Sequence, residues 1–121
     1  RAVDALKPPD ELPKLVIAAP TAGETLLASQ RYDSGYPMPD RIEIRAELDR
    51  PLFGRVLFHA SVDDSDYRLL GTDRSPPYRL FLDPSQFPEG SRLSIQAVFE
   101  DTFGRSCRAS VDGLRVRAAL P

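Results

Sequence analysis

A chain of 121 residues, 41% hydrophobic and 28% charged, is long enough to bury a core without help from a metal or a disulfide, and fits one domain. Its formal net charge of −2 argues against nucleic acid, whose binders usually carry a basic patch. No run approaches the roughly 20 apolar residues of a membrane helix, so no membrane span is expected. The lone Cys107 has no internal partner for a disulfide. The chain opens at Arg1 with no initiator Met, basic n-region or apolar h-region, and is expected to be a piece of a larger polypeptide.

Residues 1–13, RAVDALKPPDELP, mix charge with prolines and read as a linker or disordered tail. Order is expected over 14–118. The first run is Leu15 to Ala19, ended by Pro20 and a turn through Gly23; a second, Thr25 to Ser29, suits a sheet edge. RIEIRAELD then alternates cleanly. Ile42, Ile44, Ala46 and Leu48 share one face, and Arg41, Glu43, Arg45 and Glu47 the other. A period of two with charge outward is the mark of a half-buried antiparallel strand.

In GRVLFHASVDD, Val56, Phe58, Ala60 and Val62 alternate against Arg55, Leu57, His59 and Ser61. Two more strands follow, Tyr67 to Thr72 and Tyr78 to Leu82, separated by a turn holding Asp73, Pro76 and Pro77. Proline there removes backbone donors and stops the first strand from running on. The segment predicts a crossing from one sheet to the other, with Asp73 bonding amides of its own turn. SRLSIQAVFED places Leu93, Ile95, Ala97 and Phe99 inward, and Asp101 to Gly104 forms a hairpin turn. The last strand runs from Arg105 through Val111, breaks at Asp112-Gly113 and resumes at Leu114 to Val116.

About seven to eight short strands and no trustworthy helical period predict an all-β immunoglobulin-like antiparallel sandwich, with no disulfide. Its core is expected to hold Ile42, Ile44, Leu48, Val56, Phe58, Leu93, Ile95 and Phe99.

The order of elements resembles bacterial Ig-like modules appended to secreted multidomain enzymes, especially glycoside hydrolases of the α-amylase and pullulanase kind. The residues that carry it are Pro20 to Gly23, Val56 and Phe58, Gly71-Thr72-Asp73 and Pro77-Tyr78. Asp83 through Gly90, Ala97, Asp101 and Gly104 complete the series, spanning about residues 14 to 117. Related modules often carry Trp shortly before the Gly-Thr-Asp, where this chain has Tyr67. The resemblance implies a non-catalytic accessory module, a spacer, stabilising or docking domain of a secreted bacterial polysaccharide-active enzyme. Its expected partners are adjacent domains of that parent and, in some modules, a polysaccharide.

The alternative is a carbohydrate-binding module using Tyr32, Tyr36 and Tyr67, since sugar recognition stacks rings on aromatic faces. The competing reading packs such tyrosines over the sandwich ends with their hydroxyls wet. Asp63, Asp64 and Asp66 are the metal candidates, because Ca²⁺ takes several closely spaced carboxylate oxygens. The glycine and glutamate of a calcium loop are missing, however, and Asp and Ser also build turns; no cofactor is expected. His59 is the single histidine and lacks a triad motif. Glu43 and Glu47 lie on a flat strand rather than across a cleft. Cys107 stands between Arg105 and Arg108, which favours a thiolate, but no partner histidine is in sight. No enzymatic activity is expected.

Overall fold

The computed structural model describes residues 11–27, 29–31, 37–39 and 42–117. Among the described residues ten strands succeed one another: β1 (Leu15–Ala19), β2 (Thr25–Leu27), β3 (Ser29–Arg31), β4 (Pro37–Pro39) and β5 (Ile42–Leu48), then β6 (Gly54–Val62), β7 (Arg68–Asp73), β8 (Tyr78–Leu82), β9 (Arg92–Asp101) and β10 (Ser106–Arg117). Eight of them build the sandwich. One sheet has the order β1-β5-β8, the other β2-β10-β9-β6-β7, and β3 pairs with β4 in a separate ribbon. This is an immunoglobulin-like β-sandwich without a disulfide.

Alternation makes the layers. Along β9 every second residue is buried, and Leu93, Ile95, Ala97 and Phe99 have no exposed surface. The register sets large against small: Val56 faces Phe99, Phe58 faces Ala97, and Ala60 faces Ile95. Such pairing keeps the inner surface of the sheet even, so Ile44 and Ala46 of the opposing sheet can close on it. Each large side chain buried here contributes about 1.5–3 kcal/mol.

Six of the eight expected core residues are fully buried; Ile42 and Leu48 are half-buried, because β5 runs out to the sandwich ends there. Three features differ from the sequence expectation. Ser61 is buried rather than outward, since its hydroxyl donates to the Ser65 carbonyl inside the β6–β7 turn. The last strand does not break at Asp112-Gly113; it bulges between Val111 and Leu114, with Gly113 at φ 76°. The edge strand β2 pairs with β10 in parallel.

The segment between β7 and β8 does cross between sheets. β7 belongs to the five-stranded sheet and β8 to the three-stranded one. Asp73 pins the crossing from both sides, accepting from the Ser75 amide at 3.2 Å and the Arg79 amide at 3.0 Å. Both Ala19-Pro20 and Pro76-Pro77 are cis peptides. Tyr78, just after the second proline, is only 4% exposed and meets Phe99 edge-on, with centroids 6.2 Å apart.

The pairings define two poles. Leu15 opposite Leu48, Gly54 opposite Asp101, and Val56 opposite Asp73 mark one. Val62 opposite Leu93 and Arg115 opposite Arg92 mark the other. The described chain comes in at the first pole, where Glu11 and Lys14 bond to the β5–β6 connection, and leaves at the second, at Arg117.

Candidate functional site

Of the sequence-derived ligand and metal candidates, the described ones, Asp63, Asp64, Asp66 and Tyr67, lie together in the β6–β7 connection. Tyr32 and Tyr36 lie outside the described residues. Tyr67 is 41% exposed and stands just before β7, at the second pole.

Asp63, Asp64 and Asp66 share the β6–β7 turn. Asp63 and Asp64 take left-handed conformations, φ 48° and 63°, which short polar side chains tolerate better than most. Asp63 Oδ1 accepts from the Arg92 amide at 2.9 Å, and the Asp64 carboxylate pairs with the Arg92 guanidinium. The Ser65 hydroxyl oxygen accepts from the Val62 amide at 3.2 Å. Two of the three carboxylates are therefore committed to holding the turn against β9. Among the described residues no group of three or more metal-ligating side chains is gathered.

His59 stands half-buried on the outer face of β6, opposite Gln96 on β9 and Leu69 on β7. Ser61, its neighbour two residues on, is turned toward Ser65 instead. Glu43 and Glu47 lie on the outer face of β5, opposite Phe81 and Val16, and Glu47 pairs with Arg45 at 3.4 Å. Cys107 donates weakly to the Pro13 carbonyl at 3.4 Å. Burial, then the charges of Asp101 and Asp49, push its thiol pKa up, against the expectation from its arginine neighbours. A half-buried thiol beside two carboxylates is a poor nucleophile.

A broad concavity lies at the first pole. It is a groove of about 830 Å³ between the β5–β6 connection and the crossing before β8. Its apolar lining includes Leu48, Pro51, Leu52, Phe53, Pro77 and Tyr78. Phe53 is 86% exposed, the most exposed large apolar side chain among the described residues. A shallower depression of about 410 Å³ shares Phe53, Gly54 and Arg74 and extends over Arg55 and Thr102. Phe103, in the adjoining hairpin, is also exposed, with the Arg105 guanidinium 6.0 Å above its ring.

Most of the charge lining this pole is engaged within the chain. Arg55 holds Glu100 at 2.8 Å, and Arg105 holds Asp101 at 2.8 Å. Asp49 accepts from the Lys14 amide at 2.8 Å, and Arg50 donates to the Glu11 carbonyl at 2.7 Å. Arg74, exposed between Asp73 and the two prolines, has no hydrogen-bond or ion-pair partner among the described residues. The Tyr78 hydroxyl is pushed above its ordinary pKa by burial and then by Asp73, so it stays a neutral donor.

Sequence reasoning passes over Phe53. The signal is local: an aromatic in Arg50-Pro51-Leu52-Phe53-Gly54, between two strands and outside the alternation of either, has no inward position to fill. The same reasoning takes the proline-bearing crossing as a fold marker alone, whereas it also walls the groove. The groove lining contains no Ser, His or Cys. It offers apolar surface and one unpaired cation, which suits binding.

No family model matches the sequence, and no curated protein matches it. Among solved structures, the fold is similar to that of the fibronectin(III)-like modules of Clostridium thermocellum CbhA. The TM-score is 0.62 at 20% identity, over 89% of this chain and 100% of that one. At that identity the likeness is one of fold: the chain is an immunoglobulin-like sandwich of fibronectin(III)-like form.

Proposed function

We propose that this chain is a non-catalytic accessory module, a spacer and docking domain within a larger secreted bacterial enzyme that acts on a polysaccharide. The observation that carries this reading is the placement of the described ends at opposite poles. A sandwich traversed from pole to pole holds its upstream and downstream neighbours apart along one axis. The short strands and tight turns make it stiff, and its groove is lined by apolar and charged groups rather than by nucleophile, base and oxyanion donor. The likeness to modules of CbhA supports the accessory role, and fold likeness alone does not assign chemistry.

Excising residues 11–117 from the parent polypeptide tests it. Turnover on a soluble oligosaccharide is expected to stay unchanged, while the rate on the polymeric substrate falls. Loss of turnover on the soluble substrate, with the remaining chain folded, would place the chemistry inside this domain and end the proposal.

A further inference from the structure

We infer that the groove at the first pole is a docking surface for an acidic, apolar peptide segment of the domain that adjoins it on the N-terminal side; this rests on the multidomain reading above. Three observations converge. The groove exposes Phe53 almost wholly, beside Pro51, Leu52 and Pro77, and aromatic and apolar surface of this kind is what interface centres are made of. Its unpaired charge is the Arg74 cation, since Arg50, Asp49, Arg55, Glu100 and Asp101 are each engaged within the chain. Arginine is also the side chain best shaped to hold a carboxylate through two parallel N–H bonds.

The third observation is where the chain arrives. Glu11 is bound through its carbonyl to Arg50, itself part of the groove lining, so whatever is linked upstream is delivered to the groove's rim. Tethering of this sort raises effective concentration into the millimolar range, so a contact of modest intrinsic affinity is occupied.

The lining favours a peptide over a glycan. A sugar presents hydroxyls that must each find a partner when desolvated, and most of the groove's polar groups already have theirs. A leucine- and proline-bearing segment with one carboxylate has fewer polar groups to desolvate, since proline lacks the backbone donor: its apolar side chains cover Phe53, and its carboxylate takes Arg74.

The test uses the 121-residue chain and a capped hexapeptide of leucine, proline and aspartate, followed by amide NMR shifts. Shifts are expected at Phe53, Arg74 and Tyr78. The same peptide with asparagine in place of aspartate should bind about tenfold more weakly, the loss of one charge-assisted hydrogen bond. Arg74→Gln should erase the difference between the two peptides. Phe53→Ala should weaken both without moving the thermal midpoint, since the ring is exposed. Equal affinity for the two peptides, shifts confined to other surfaces, or no binding overturns the proposal. So does polygalacturonate shifting these residues where the peptide does not, which would make the groove a glycan site. Each of those outcomes leaves the spacer reading to the excision experiment.

Discussion

Asp101 closes the β9–β10 hairpin from within. Its carboxylate is wholly buried, yet it accepts the Phe103 amide at 2.9 Å, the Arg105 amide at 2.8 Å and the Arg105 guanidinium at 2.8 Å. Burial alone drives its pKa up. The bonds from Arg105 and Phe103, together with the Arg105 charge, outweigh that and hold it below the ordinary carboxylate value. A depressed folded pKa means the unfolded chain binds the proton more tightly. The stabilisation is therefore complete above the unfolded value of about 3.9 and is lost as pH falls from there through the folded one. Asp101→Asn is expected to lower the urea midpoint at pH 7 and to flatten its decline on acidification. Urea titrations from pH 7 to pH 3 on both chains check this; parallel declines would show that Asp101 is not the acid-sensitive group.

At the scale of elements, one glycine shows how tightly β6 and β9 pair. Gly54 opens β6 directly opposite Asp101, and a methyl group added to it would run into the Glu100 carbonyl oxygen and sit 2.7 Å from the Phe99 ring. Gly54→Ala must shift the Glu100 backbone and displace a ring that has no exposed surface. A cost of about 1–3 kcal/mol is expected, the range for overpacking, read as a fall in chemical-denaturation midpoint at unchanged slope. A variant as stable as the unsubstituted chain would mean that the β6–β9 pairing has slack at this end.

The strands themselves were legible because burial on one face imposes a period of two. β5, β6, β8 and β9 announce themselves in the alternation of Ile44, Phe58, Leu82 and Ile95 with their outward neighbours. Asp73 and Gly104 were legible too, since turn chemistry is local. Less visible were features set by partners elsewhere in the chain. The bulge at Gly113 depends on β9, and the burial of Ser61 depends on Ser65. Tyr78 goes into the core because Phe99 offers it an edge. The groove was out of reach for the same reason: Phe53 and Arg74 are 21 positions apart and meet only after both sheets have formed.

For the molecule as a whole, the decisive property is direction. The ten residues of β9 span the sandwich, a length of roughly 33 Å at the usual rise per strand residue. The chain arrives beside one end of β9 and departs from the other. That geometry suits the proposed role of a strut, and the apolar groove with Arg74 lies at the end where an upstream neighbour would sit. Both the proposed spacer role and the proposed docking role depend on this polarity. Spin labels at Lys14→Cys and Arg117→Cys, in a Cys107→Ser chain, measure it by electron–electron dipolar coupling. A single narrow distance distribution centred at about 30–40 Å is expected from the strand rise; a centre at half that value, or a broad spread, would contradict it.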